Sequence, residues 1–423
     1  MIKYIFIGLI FLEYFWKLFE VYLSSKQMKK PLPACVQGIY DEVQYNRWVA
    51  YTHEKRRFGL ITGAINTVLL AVILFFDLLA VVYTALAGSL PPVSDRLYGA
   101  LLVTIFSLFF SAVGIIPNYI FTFRIEEKYG FNKSTKKTFW GDTVKNTVLN
   151  LLLNIGLASI AAVFYELVGI WLMLGIFGFF LIVILVGSAF ALPLQKLFHR
   201  FDPLEDGSLK DRINELFISN GYKVRSIYVM NASKRTTRAN AFCAGIGKGK
   251  KIALYDNLVN QYSEDEITAV FAHELGHDKH KDTAVMAIMQ MVIYAIVSAV
   301  IGITVASPIV SESMGFADVN AEAMVLVLSM AVLSPLMTLL MISFNIISRH
   351  MERRADTFAA NCGLGQPLMD ALKRLSRDNL TDLNPHPFLA TIGYSHPTIG
   401  ERVQVIEKAM EKRGERGERP PAA

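Results

Sequence analysis

Long apolar stretches alternate with polar segments along most of the chain. A helix needs about 20 predominantly apolar residues to cross the hydrocarbon core of a bilayer. The stretches that are long and apolar enough number seven, and they lie near residues 2–23, 60–86, 99–121, 147–165, 168–194, 283–309 and 323–347. This pattern predicts a mainly α-helical, polytopic membrane protein with seven transmembrane helices.

The first stretch has an apolar run after Lys3, which could instead be a signal peptide. However, Glu13, Lys17 and Glu20 interrupt the run, and no small-residue cleavage site follows it. We therefore predict an uncleaved span.

Basic residues are concentrated in two of the connections between the predicted spans. The first connection carries Lys26, Lys29, Lys30, Arg47, Lys55, Arg56 and Arg57, and the third carries Arg124, Lys128, Lys133, Lys136, Lys137 and Lys145. The second has only Arg96, and the connections near 166 and 310–321 have no basic residue. Because short cytoplasmic loops are enriched in Lys and Arg, this alternation predicts an outside N-terminus and an inside C-terminus.

Composition supports a membrane protein, since 53% of the 423 residues are hydrophobic and only 18% are charged. The net charge of +6 could suit nucleic acid, but basic cytoplasmic loops account for it, so no nucleic-acid partner is predicted. Cys35, Cys243 and Cys362 form no CxxC pair. Neither a disulfide framework nor a cysteine zinc finger is therefore indicated.

The polar segment 196–282 is too long for a simple connection and must carry its own structure. Three stretches are rich in strand-forming residues: 224–230, 238–247 and 250–256. Gly247-Lys248-Gly249 predicts a hairpin turn between the second and the third of them. Ser263 and Glu266 have the spacing of a capping box, so a helix is expected to begin there.

These features divide the chain into five segments. We predict membrane helices with basic cytoplasmic loops over 1–195, a cytosolic segment over 196–282, the last two spans over 283–347, a second cytosolic segment over 348–413 and a disordered tail over 414–423.

The chemistry is expected at HELGH, residues 273–277. His273 and His277 lie four residues apart on one helix face, so both imidazoles can bind one zinc ion. Zinc lowers the pKa of a water molecule, and Glu274 is placed to take the proton and later give it to the leaving amine. The alternative is an ordinary solvated helix face outside the membrane.

A catalytic zinc site needs a third protein ligand and an open coordination position. Glu352 follows the seventh span closely, and His273 and His277 closely precede the sixth, so the two-span hairpin returns all three to one membrane face. Asp356 lies four residues later and could accept a hydrogen bond from a ligating histidine, fixing its tautomer. The alternative for both carboxylates is pairing with neighbouring arginines on a polar helix face.

Several motifs together resemble the type I CAAX prenyl proteases, integral-membrane zinc metalloproteases that process prenylated proteins. They are HELGH at 273–277, ERRAD at 352–356, NAFCAGIG at 240–247, FDPLEDGSL at 201–209 and SHPTIGER at 395–402. The resemblance implies a gluzincin-like α+β zinc metalloprotease domain at the cytoplasmic face of the membrane.

The resemblance also implies roles for individual residues. Glu352 would be the third zinc ligand. Asn240 and Ala241 would bind the substrate backbone at the edge of a strand, by strand addition. His396 and Arg402 would stabilise the oxyanion of the tetrahedral intermediate. From the residues alone, the segment 395–397 predicts only a helix N-terminus with Pro at its first position.

The predicted function is therefore endoproteolysis with one zinc ion. The resemblance implies removal of the C-terminal tripeptide from prenylated CAAX proteins or peptides. In an organism without protein prenylation, broader quality control of membrane proteins is the alternative. A prokaryotic plasma membrane and the endoplasmic reticulum both suit this function.

Two other classes of protein remain as alternatives. A non-catalytic membrane scaffold would not need Glu274. A transporter would bind its substrate near the bilayer midplane, whereas the polar candidates here cluster at one membrane face.

A few further residues are weaker candidates. Glu13, Lys17 and Asp77 lie within predicted spans, where ionisable groups indicate a polar interior or cavity, although Glu13 and Lys17 could instead snorkel near a helix end. Asp278 and His280 could be extra ligands, but a site with three must keep a position for water.

Overall fold

Helices make up most of the chain, as the sequence pattern predicts. A computed structural model describes residues 1–91, 95–238, 240–244 and 249–415. The helices of the N-terminal half are α1 (Ile2–Gln27), α2 (Glu42–Phe75), α3 (Leu78–Ser89), α4 (Asp95–Ile120), α5 (Lys136–Val168) and α6 (Leu172–Gln195). Short 3₁₀ turns lie at Ala34–Val36, Gly169–Trp171 and Ala232–Lys234, and π-helical turns at Phe121–Glu126 and Ala360–Leu364.

A small sheet lies in the polar segment that follows α6. Its strands are β1 (Phe201–Pro203), β2 (Lys223–Met230), β3 (Ala241–Ala244) and β4 (Gly249–Tyr255), in the order β1-β2-β4-β3. β3 and β4 are antiparallel, with Ala241 opposite Leu254, so the predicted hairpin is confirmed. Its turn residues Gly247 and Lys248 lie outside the described residues. β3 occupies one edge of this sheet.

The helices of the C-terminal half surround the sheet and continue the bundle. They are α7 (Ser208–Ser219), α8 (Asp256–Gln261), α9 (Glu264–Lys279), α10 (Asp282–Val305), α11 (Pro308–Ser313), α12 (Ala321–Ala331), α13 (Leu333–Ala359), α14 (Gly365–Asp378), α15 (Pro387–Gly393) and α16 (Ile399–Glu415). α9 begins with the predicted capping box, in which Ser263 and Glu266 bond each other's backbone N–H groups.

By length and composition, the described helical segments that could cross a membrane number four: Glu42–Phe75, Asp95–Glu126, Lys136–Val186 and Asp282–Val305. The bent pair of α12 and α13 would be a fifth. The segment Lys136–Val186 turns at Gly169, which has a φ of 57°. Gly156 then lies against Phe179, and Gly175 against Phe164, so α5 and α6 pack antiparallel. The count of seven spans stays a prediction.

Two of the predicted spans are broken by bends that the hydropathy pattern does not reveal. Between α2 and α3, Asp77 has a left-handed φ of 52°, and Lys3 Nζ bonds both its carboxylate oxygens at 2.6 and 2.7 Å. α12 and α13 meet at 58°. There Pro335 has no N–H to bond the carbonyl of Ala331, which bends the helix.

The apolar core has three parts. The membrane helices pack around residues such as Leu102 and Leu328. A second cluster, which includes Trp48 and Ile406, joins the start of α2 to α14 and α16. A third cluster around Phe271 fixes α9 against the sheet and α7. α9 therefore lies between the second and third clusters and packs against both.

Candidate active site

α9 and α13 bring the predicted metal ligands together. His273 and Glu352 are buried, and His277 lies one helical turn after His273. The Nε2 atoms of the two histidines are 3.2 Å apart. His273 Nε2 lies 3.4 Å from Glu352 Oε2, and His277 Nε2 lies 3.3 Å from Glu352 Oε1.

These distances suit a zinc ion. Ligand atoms at about 2.0 to 2.1 Å from zinc in tetrahedral geometry are separated from one another by about 3.3 to 3.4 Å. In addition, Glu352 Oε2 is buried and accepts no hydrogen bond from any described residue. A buried carboxylate oxygen without a hydrogen bond is costly unless a cation binds it. Two imidazoles and one carboxylate are also a donor set that zinc favours.

Each histidine is oriented by a carboxylate on its other ring nitrogen. His273 Nδ1 lies 2.9 Å from Asp356 Oδ1, as predicted. His277 Nδ1 lies 2.9 Å from Asp282 Oδ2. When Nδ1–H donates to the carboxylate, the lone pair of Nε2 points to the metal position. Both histidines are therefore held in the tautomer that a metal requires.

Asp282, the first residue of α10, is a site residue that the sequence pattern does not predict. It is buried, and its other oxygen accepts a hydrogen bond from Arg354. The available signal was a carboxylate five residues after His277, at the start of the next apolar helix. Asp278 and His280 are not part of the ligand triangle, which consists of His273, His277 and Glu352. Tyr222 bonds Asp278, and His280 Nδ1 lies 2.7 Å from the carbonyl of Gly276.

Hydrogen bonding changes the protonation of His273. Burial alone would lower its pKa, but the neighbouring carboxylates of Asp356 and Glu352 raise the pKa of His273 to about 9. Burial would also lower the pKa of His277, but the carboxylates of Glu352 and Asp282 beside its ring raise it. Metal binding at this site must therefore displace protons from the ligands.

Arg402 of α16 extends the carboxylate network around His273. Its Nε and Nη2 bond the two oxygens of Asp356 at 2.9 and 2.6 Å, and its Nη1 lies 3.7 Å from Glu352 Oε2. Asp356 is fully buried and Arg402 nearly so, and the pair makes a bidentate charge-assisted contact. Burial would lower the pKa of Arg402, but Asp356 raises it, so the guanidinium stays charged.

His396 lies at the open side of the triangle. Its side chain is 64% exposed, and its Nδ1 is 3.0 Å from Glu352 Oε1. The helix that follows begins at Ile399 and not at Pro397, so the prediction of Pro at the first helical position was wrong. Thr398 and Glu401 cap this helix by bonding each other's backbone N–H groups, which a Thr-x-x-Glu pattern specifies.

Asn240 and Ala241 lie at the edge strand of the sheet. The carbonyl of Asn240 accepts a bond from Tyr255 N of β4, whereas Ala241 N bonds the Asn240 side chain. Because backbone groups alternate in direction along a strand, those of Ala241 face the outer edge. Asn240 also lines a cavity of about 690 Å³ that Lys55 and Arg238 border. Asn240 is thus exposed beside this cavity, and Ala241 lies at the outer edge of the sheet.

The site shares one end of the bundle with the basic connections. Arg235 pairs with Asp142 near the start of α5, and Arg238 pairs with Glu126 at the end of the π-helical turn that follows α4. The segment before β3 therefore packs on the third connection.

The two ionisable positions of α1 lie elsewhere: Glu13 accepts a hydrogen bond from Ser334, and Lys17 lies against Gly63.

Comparison with known proteins identifies the family. Residues 203–410 match the family model described as Peptidase family M48, and residues 21–194 match the one described as CAAX prenyl protease N-terminal, five membrane helices. A CAAX prenyl protease 1 homolog from Oryza sativa subsp. japonica is 30% identical over 408 residues, which cover 94% of this chain and 96% of that protein. The chain belongs to the CAAX prenyl protease family.

Other members of the family agree over nearly the whole length. The probable CAAX prenyl protease 1 of Schizosaccharomyces pombe is 31% identical over 93% of this chain and 86% of its own. The crystal structure of S. mikatae Ste24p superposes with a TM-score of 0.86 at 26% identity, covering 96% of this chain and 99% of that one. The protein is thus a multi-pass membrane metalloendopeptidase with the Ste24p fold.

Proposed function

We propose that this membrane metallopeptidase uses one zinc ion to remove the C-terminal tripeptide of prenylated CAAX proteins or peptides. The observation that carries the proposal is the cluster of ligand atoms beside Glu274: the Nε2 atoms of His273 and His277 are 3.2 Å apart and lie 3.4 and 3.3 Å from the two carboxylate oxygens of Glu352. The CAAX substrate class rests on the names of the relatives.

His273, His277 and Glu352 would hold the metal. Zinc, when bound, supplies Lewis-acid polarisation of a carbonyl and lowers the pKa of a water molecule. Glu274 is half-buried next to the triangle, so its carboxylate can take a proton from the attacking water. The same carboxyl then gives that proton to the amine that leaves.

His396 and Arg402 would act on the developing negative charge. His396 is exposed on the open side of the site, so its imidazole N–H can reach the oxygen of a bound carbonyl. Arg402 is engaged by Asp356, which favours a positioning role, with its Nη1 as the remaining donor toward the site.

Asn240 and Ala241 would bind the substrate backbone. β3 is an edge strand, and the outward carbonyl of Ala241 can pair with an extended peptide, as can its N–H once the Asn240 side chain releases it. Main-chain pairing of this kind accepts many sequences, which also suits a broader quality-control role.

The active site would face the cytoplasm. A count of seven spans follows if α1, the α2–α3 pair, α4, α5, α6, α10 and the α12–α13 pair each cross once. The gluzincin-like domain would then comprise the segments 196–282 and 348–413. The basic connections support this orientation. The membrane would be a prokaryotic plasma membrane or the endoplasmic reticulum.

The test is cleavage of a farnesylated CAAX peptide by the detergent-purified protein, followed by mass spectrometry. We expect loss of the tripeptide, abolished by a zinc chelator and restored by added zinc. Glu274→Gln should be inactive while retaining zinc, and the unfarnesylated peptide of the same sequence is the matched substrate control.

Each other result has a defined meaning. Cleavage of a generic peptide but not of the farnesylated one would keep the peptidase and exclude the CAAX assignment. An active Glu274→Gln variant would exclude Glu274 as the base. Absence of both metal and cleavage would leave the scaffold as the better hypothesis.

A further inference from the structure

A second polar cavity lies between α1 and α2, near the ends joined by the first basic connection. It has a volume of about 360 Å³, and its polar lining consists of His53, Arg56, Arg57 and Ser25. None of these residues belongs to the metal site or to the edge strand. The cavity is therefore separate from the proposed peptidase machinery.

The positive charge of this cavity is largely uncompensated. No acidic residue is among its lining residues. Arg56 bonds Ser24 and Met28 and lies 3.9 Å from Asp382. Within the described chain, Arg57 and His53 form no ion pair, and both are exposed.

The neighbouring acidic side chain does not change this balance. Glu54 points instead to Lys128 and Tyr129, which it contacts at 2.7 and 2.9 Å. The polar groups that a ligand meets in the cavity are therefore hydrogen-bond donors, and several of them are positively charged. An anion is the chemistry that this lining fits.

The rest of the lining is apolar and leads into the membrane. Val21, Leu60 and Ile61 form this part of the wall. Along α2, the exposed face that begins at Arg57 continues through Ile61, Ile65, Val68 and Val72, which are 51%, 59%, 56% and 39% exposed. Their spacing of three or four residues forms one stripe on the helix.

In a helix that crosses the bilayer, such an exposed apolar stripe faces lipid chains. Arg57 stands at its polar end, and His53 lies one turn further out. A soluble anion would use only the basic rim of the cavity, whereas an amphiphile would use both the rim and the stripe.

We propose that this cavity binds an anionic phospholipid. Its phosphate accepts hydrogen bonds from Arg57, His53 and Ser25, and its acyl chains lie along Ile61 and Ile65. The cavity offers no carboxylate to the ammonium group of a zwitterionic headgroup, so a headgroup without an amine is favoured. The proposal rests on the membrane location of α1 and α2 and is independent of the substrate.

The test is titration of the full-length, detergent-purified protein by isothermal calorimetry. The ligands are short-chain phosphatidylglycerol, short-chain phosphatidylcholine with the same acyl chains, and inorganic phosphate. We expect saturable binding of one phosphatidylglycerol and much weaker binding of the other two. Arg57→Ala should weaken phosphatidylglycerol binding about fivefold. His53→Ala should also weaken it, because it removes a hydrogen-bond donor to the phosphate.

Lys137→Ala is the matched control, because it removes one exposed basic residue at the start of α5 on the same side of the membrane. It should leave phosphatidylglycerol affinity unchanged. Equal affinity for phosphatidylcholine would overturn the anionic lipid, and equal affinity for inorganic phosphate would overturn the lipid as occupant. Equal losses in Arg57→Ala and Lys137→Ala would show a general surface charge effect and overturn the site. Unchanged zinc content checks that each variant is folded.

Discussion

Gly276 of α9 lies directly against Ala355 of α13, with no space for a side chain between them. A Cβ atom on Gly276 would lie 2.9 Å from Ala355 Cα and 3.1 Å from Phe358 Cβ. Gly276 precedes His277, a proposed ligand, and Ala355 lies between Glu352 and Asp356. The close approach of the two helices therefore sets the distance from the histidines to Glu352.

We expect Gly276→Ala to push α9 away from α13. A displacement of about 1 Å between catalytic groups can reduce activity about 100-fold, and overpacking costs about 1 to 3 kcal/mol of stability. The measurements are zinc content, peptide cleavage and the unfolding temperature in detergent.

The matched control is Gly141→Ala in α5, where an added Cβ meets nothing within 4 Å. There the substitution should leave activity unchanged and stabilise the helix slightly, because alanine is the better helix former. Full zinc content and activity in Gly276→Ala would show that the contact does not set the ligand distance.

Asp356→Asn should weaken zinc binding about 10- to 100-fold. The reason is that the neutral amide lacks the carboxylate charge that holds His273 in the tautomer with Nδ1 protonated. The substitution also leaves the nearly buried Arg402 without its bidentate partner. We therefore expect a lower unfolding temperature as well. Metal competition against a chelator measures the affinity, with Asp370→Asn on the exposed face of α14 as the control. Wild-type affinity in Asp356→Asn would exclude the orienting role.

Asp282→Asn tests the orienting carboxylate of His277 in the same way. Because Asp282 Oδ2 lies 2.9 Å from His277 Nδ1, we expect a loss of zinc affinity of about 10- to 100-fold. Asp278→Asn is the matched control, since that carboxylate is bonded by Tyr222. If Asp278→Asn lost zinc and Asp282→Asn did not, Asp278 and not Asp282 would support the metal.

The sequence predicts those parts of the site that short-range geometry determines. His273, Glu274 and His277 follow from helix periodicity, and the capping box at Ser263 follows from local hydrogen bonding. The pairing of Asp282 with His277 does not, because it depends on how the chain turns between α9 and α10. At that turn, Lys281 has a left-handed φ of 58°, which periodicity does not reveal.

The same limit applies to the membrane helices, because hydropathy is a local property and the contacts between helices join residues far apart in the chain. Hydropathy places the apolar stretches but not the break at Asp77, because that break depends on a partner far away in the chain. Similarly, the count of spans cannot be read from composition where charged residues interrupt α1. Long-range contacts decide these features, and hydropathy records only the average polarity of a segment.

The pair of Lys3 and Asp77 is therefore the last specific test. Lys3 Nζ bonds both carboxylate oxygens and lies 3.5 Å from the carbonyl of Phe75, which the break leaves free. Lys3→Met should leave Asp77 unpaired in a largely apolar setting and lower the free energy of unfolding by about 1.5 to 3 kcal/mol. Thermal unfolding in detergent measures this change.

A double-mutant cycle with Asp77→Asn separates the pair from other effects. If the contact stabilises the break, the second substitution should restore part of the stability lost in Lys3→Met, with a coupling of about 0.5 to 3 kcal/mol. Lys26→Met, at the exposed other end of α1, is the matched control and should have little effect. Additive losses from Lys3→Met and Asp77→Asn would mean that the two side chains do not act together. The break between α2 and α3 would then be held by other contacts, of which the packing of Gly315 against Asp77 is the nearest.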